Sequence, residues 1–142
     1  MLDIFNKNEN KENASSVNDF IKITALLIHA AKIDENYTDN EKMIIINFLK
    51  SIGVKKNIEE IVNKAELEEQ NSNQILKFTQ EIKKNTLEFK KEVIKILWKI
   101  ILSDGKSDMY ESTLMRRIGG LLYVEDKLIG EAKLEALNEK KI

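Results

Sequence analysis

The chain has 142 residues, 42% of them hydrophobic and 33% charged, with a formal charge of −1. This suits one globular domain and gives no global attraction to nucleic acid. Cysteine is absent and histidine occurs once, which excludes disulfides, a cysteine nucleophile and the common cysteine- or histidine-rich zinc sites.

There is no proline and there are five glycines, too few turn-formers for an all-β sandwich or barrel. Helices are expected throughout. Residues 1–14 read as a flexible tail because the stretch 6–14 is polar and cannot offset its ordering entropy. Met1–Phe5 lacks a basic, long-apolar leader, and no apolar run reaches the 18 or so residues of a membrane span. The expected location is cytoplasmic, with the domain covering 15–142.

Ser16, followed by Asp19, starts a first helix that carries Phe20, Ile23, Leu27, Ala30 and Ala31 on one face to about Ile33. Thr38-Asp-Asn-Glu41 is a capping box for a second, running through Ile44, Ile45, Phe48, Leu49 and Ile52 to a left-handed stop at Gly53. Asn57 is expected to cap a third, with Ile58, Ile61, Val62, Ala65 and Leu67 as its apolar set. Ser72 opens a short fourth with Ile75, Leu76, Phe78, Thr79 and Ile82. Thr86 opens a fifth whose last turns, Val93 to Ile101, are apolar nearly all round, the mark of a buried helix. Trp98 is therefore placed at the bundle centre. Asp108-Met-Tyr-Glu111 repeats the capping-box pattern before a sixth helix, and a seventh covers about 126–140. Seven helices with short connections make an all-α, single-domain bundle.

Shifting the sequence by 70 residues aligns the first two helices with the fifth and sixth. Leu26-Leu-Ile28 meets Ile96-Leu-Trp98, Phe48 meets Ile118, Ile52 meets Leu122 and Val54 meets Val124. Asp34 falls on Asp104 and Glu41 on Glu111. Two pseudo-repeated helical hairpins follow.

Glu41 and Glu111 suit the positive end of a helix, where a capping carboxylate contributes roughly 1 kcal/mol. Asp34 and Asp104 follow helix C-termini, where an acid opposes the dipole by about 0.3–1 kcal/mol. An Asx-turn would justify them, and so would a hard divalent cation. Residues 104–111 do not have the alternating acids of an EF-hand loop.

The run Trp98-Lys-Ile-Ile-Leu-Ser-Asp104-Gly-Lys-Ser-Asp108-Met-Tyr-Glu111, then Leu114-Met-Arg-Arg-Ile118 and Leu121-Leu-Tyr-Val124, resembles the second half of TerB-like tellurite-resistance proteins. The resemblance extends over about 15–137 and implies an all-helical bundle of two similar halves. It also implies a divalent-cation site, Ca2+ or Mg2+, at Asp104, Asp108 and Glu111, with Asp34 and Glu41 as the first acidic motif. Glu35 stands where the family favours glycine, and Asp39 is displaced one position from Asp108. Stress and tellurite resistance, with a protein partner or the inner membrane surface, are what the family implies about role.

His29, near an apolar face and with no histidine partner, reads as a core-edge residue. Gly119-Gly120 lies inside a helix, costs about 1 kcal/mol per glycine, and points to close packing rather than phosphate binding. Lys91, Lys95 and Lys99 share one helical row, either a solvated face or a docking stripe for an acidic partner or anionic headgroups. No nucleic-acid reader motif accompanies them. Two functions stay open: a non-enzymatic, cation-binding helical module, and a scaffold whose acids are only caps and turns. A hydrolase would need a carboxylate pair in a cleft, and nothing in the sequence assembles one.

Overall fold

The computed structural model describes residues 13–33, 37–72, 75–104 and 109–140. Among them are seven α-helices and no strand: α1 Asn13–Ala31, α2 Asp39–Ser51, α3 Ile58–Gln70, α4 Ile75–Lys83, α5 Leu87–Ile101, α6 Met109–Leu122 and α7 Asp126–Lys140. A 3-10 turn, Leu102–Asp104, extends α5.

Local chemistry explains most boundaries. Thr38 makes the full capping box: its hydroxyl accepts from the Glu41 N–H at 3.1 Å, and the Glu41 carboxylate accepts from the Thr38 N–H at 2.8 Å. Thr86 caps α5 by accepting from the Phe89 N–H. Two expectations at helix starts are corrected. The first helix begins at Asn13, three residues before Ser16 and inside the stretch read as tail; residues 1–12 lie outside the described residues. Asn57 does precede α3, but with φ 63° and no side-chain cap bond, so its contribution is tolerance of the left-handed region.

The 70-residue repeat is present in the packing. Leu26 and Ile96, Leu27 and Leu97, Phe48 and Ile118, Ile52 and Leu122, and Val54 and Val124 are all buried. The turns after α2 and α6 are closed alike: Gly53 N–H to Lys50 O and Val54 N–H to Leu49 O, then Tyr123 N–H to Gly120 O and Val124 N–H to Gly119 O. This is the Schellman pattern, whose pivot residue adopts positive φ. Gly53 has φ 103° and Tyr123 has φ 60°.

The repeat also reaches one helix further than the sequence alignment. α3 packs on α1 as α7 packs on α5, so each half is a three-helix unit, and α4 joins them while packing on α1 and α6. The register slips in this third helix. Val62 and Ala132 are buried 70 residues apart, but Ala65 corresponds in burial to Ala136 rather than to Glu135.

α5 is lined by buried residues from Phe89 to Ile101. Trp98 is buried, but not at the centre as expected. Its indole N–H donates to the Ile129 carbonyl of α7 at 3.1 Å, and the Lys133 ammonium lies 4.9 Å from the ring centroid. A buried indole needs an acceptor for its N–H, and the α5–α7 seam supplies one. Leu67 and Leu76, both assigned to apolar faces, are exposed. Gly119 does serve close packing, because a Cβ there would collide with the Ile129 side chain, whereas one at Gly120 would meet open space.

Candidate functional site

The five candidate acids are placed unequally. Asp34 and Asp108 lie outside the described residues. Asp104 closes the 3-10 turn after α5, and Glu111 is the third residue of α6, as Glu41 is of α2. The backbone therefore puts Glu41 and Glu111 at equivalent helical positions, where a carboxylate meets the dipole's positive end.

Glu41 has a described side chain, and it is only 5% exposed. Its Oε1 accepts from the Thr38 N–H and from the Thr38 hydroxyl, at 2.8 and 3.2 Å. The capping role is thus realised. Around it the first inter-helix turn is rich in negative charge. The Tyr37 hydroxyl donates to Glu66 of α3 at 3.1 Å, and Lys42 reaches the same carboxylate oxygen at 3.5 Å. Burial, then the charge and hydrogen bond of Glu66, then the charges of Glu41 and Asp39, push the Tyr37 phenol well above its ordinary range. Tyr37 and Glu66 were absent from the sequence-derived candidates. Tyr37 could have been flagged as the residue before the cap; Glu66 comes from another helix and has no local signal. Among the described residues, no three acids or histidines converge as a metal-holding group.

Most of the other ion pairs among the described residues join different helices. His29 Nδ1 and Lys32 Nζ both approach Glu69 of α3, at 3.3 and 2.7 Å, and Lys22 pairs with Glu68. His29 is the core-edge residue expected. Lys95 and Lys99 both pair with Glu139 of α7. They form an internal clasp, so the expected stripe of Lys91, Lys95 and Lys99 does not face outward as a unit. For Glu139, burial pulls the carboxyl up, but the hydrogen bonds and charges of Lys99 and Lys95 outweigh it and hold the group below its usual value. For Lys95, burial pulls down and the hydrogen bonds and charges of Glu139 and Glu92 outweigh it, raising the ammonium.

Comparison with known families completes this description. The family model for tellurite resistance protein TerB matches residues 20–134. The chain belongs to the TerB family. The match takes in all of α2 to α6, most of α1 and α7, and both acidic inter-helix turns. No curated protein and no solved structure matches the chain. No helix among the described residues is long and apolar enough to cross a membrane.

Proposed function

We propose that this chain is a non-enzymatic TerB module that binds a divalent cation at its acidic inter-helix turns. Asp104, Asp108 and Glu111 supply the main ligands, with Asp34 and Glu41 contributing from the first hairpin. The cation, Ca2+ or Mg2+, would serve a stress- or tellurite-resistance role by stabilising the fold for contact with a protein partner or the inner membrane surface in the cytoplasm. The observation that supports this reading is positional: Glu41 and Glu111 stand at the equivalent third residues of α2 and α6, and Asp104 ends the turn after α5. The donor set is all carboxylate, which fits a hard cation and not zinc or copper. A cation would also relieve Asp104, which follows the C-terminal end of α5.

A second reading is a docking scaffold without metal. It is favoured by the cap at Glu41, whose Oε1 already accepts two hydrogen bonds.

Calcium and magnesium titration followed by thermal unfolding, with EDTA as control, separates the two. At a hundred times the dissociation constant, binding to the folded state adds roughly 2.7 kcal/mol. Asp104→Asn is expected to remove that increment and leave the metal-free fold intact. Glu111→Gln is expected to keep much of the cap, since glutamine also serves there, and to lose cation affinity. An unchanged melting temperature for all three proteins at saturating cation leaves the scaffold.

A further inference from the structure

The α5–α6–α7 face carries a groove of about 240 Å³, and none of these acids is among its described lining residues. Trp98, Met115 and Ile129 give it an apolar lining, and Arg116 of α6 and Lys133 of α7 add two cations. Neither cation is in an ion pair among the described residues; Lys133 rests over the Trp98 ring instead. An ammonium held by a π face keeps its charge available to an anion, because no carboxylate has to be displaced. Ser112 adds a hydroxyl. The one acid among the described lining residues, Asp126, is in the first turn of α7, where the helix dipole already accounts for it.

Gly130 also lines this groove. It stands inside α7, where glycine is a poor helix former, and a Cβ added to it would meet nothing within 4 Å. Packing within the chain therefore gives no reason for glycine, in contrast to Gly119. Close approach of a ligand to the helix backbone does. The arrangement is not inherited from the repeat either: 70 residues earlier stand Ile28, Ile46, Glu60 and Asn63 in place of Trp98, Arg116, Gly130 and Lys133.

We infer that this groove binds a small organic anion, one carboxylate or phosphate joined to a compact apolar body. Arg116 and Lys133 take the charged group, and the body lies along the groove floor, where only the edges of Trp98, Met115 and Ile129 reach the surface and Gly130 leaves room for it. The two cations, neither of them in an ion pair among the described residues, favour an anion over a neutral analogue.

The test uses the full chain and its single tryptophan, whose fluorescence reports on the groove directly. Benzoate and phenyl phosphate are titrated at constant ionic strength to about 10 mM, a range that covers a millimolar site. Neutral benzamide and acetate are the controls for body and charge alone. A saturable response to benzoate, to phenyl phosphate or to both, exceeding that of both controls, is expected, and the preferred probe shows whether carboxylate or phosphate is the better head. Arg116→Gln and Lys133→Gln are each expected to weaken binding about tenfold, the loss of one charge-assisted hydrogen bond. Gly130→Ala is expected to raise the melting temperature while weakening binding, a pair of effects that misfolding cannot produce. Equal responses to benzoate, phenyl phosphate and benzamide, no saturable change, or full affinity in Gly130→Ala would overturn the inference.

Discussion

The two halves of the molecule solve one packing problem with different side chains. In both, a first helix is clamped to the third by an acid near the third helix's end. In the α1–α3 unit Glu69 is held by His29 and Lys32; in the α5–α7 unit Glu139 is held by Lys95 and Lys99. His29 and Lys99 are 70 residues apart, and so are Glu69 and Glu139. The turns after α2 and α6 share their hydrogen bonds but differ at the pivot, glycine in one and tyrosine in the other. Backbone geometry and the positions of buried groups persist between the halves, while the chemistry that satisfies them is free to change.

The largest difference is at the α5–α7 seam, where Trp98 occupies the place of Ile28. Trp98→Ala is expected to cost about 3–5 kcal/mol by cavity formation. Urea unfolding measures it, and a loss below about 1 kcal/mol would remove Trp98 from the seam's core. Next comes the close approach of α6 to α7. Gly119→Ala is expected to cost about 1–3 kcal/mol through overpacking against Ile129. Gly120→Ala, with open space around the new methyl, is expected to stabilise by up to about 1 kcal/mol. Equal effects at the two neighbours would refute the close approach.

The two pivots should respond with opposite signs. Gly53→Ala is expected to lose about 1–2 kcal/mol, the cost of a Cβ in left-handed backbone. Tyr123→Gly relieves that cost but gives up the Lys83 ammonium over the ring at 4.7 Å, worth about 0.5–1 kcal/mol at an exposed site. A net gain below about 1 kcal/mol is expected in thermal unfolding.

The smallest effect is electrostatic. Glu139 is held below its ordinary 4.5, so its contribution is fully present above that pH and is lost as pH falls through the lower folded value. Lys95 is raised above 10.5, so its contribution is present below that pH and is lost as pH climbs through the higher folded value. Glu139→Gln should therefore flatten the acid limb of the melting-temperature profile below about pH 4.5, by less than about 1 kcal/mol because the pair is partly solvated.

Elements marked by local chemistry were legible in the sequence. The Thr38 and Thr86 caps, the Gly53 stop and the apolar circumference of α5 each depend on residues within a few positions of one another. Asn57 was misread because a cap residue and a left-handed residue have the same composition signal. Leu67 and Leu76 fitted the helical period, but which face a helix buries is decided by its neighbours. The third helix of each repeat escaped alignment because its buried set slips by one residue. Of the candidate site, position was legible and partnership was not: Glu41 is where its spacing placed it, yet Glu66 reaches Tyr37 from a helix 29 residues away.

α1 packs against α3 of its own unit and also against α4 and α5. A unit of about 60 residues buries only about 60% of its unfolded surface and is marginal alone. By lending one helix to both sides, the fold makes the loss of either half the loss of the other's inner wall. Unfolding is then expected as one cooperative event rather than two, so that what reads as a duplication in sequence would behave thermodynamically as a single indivisible body.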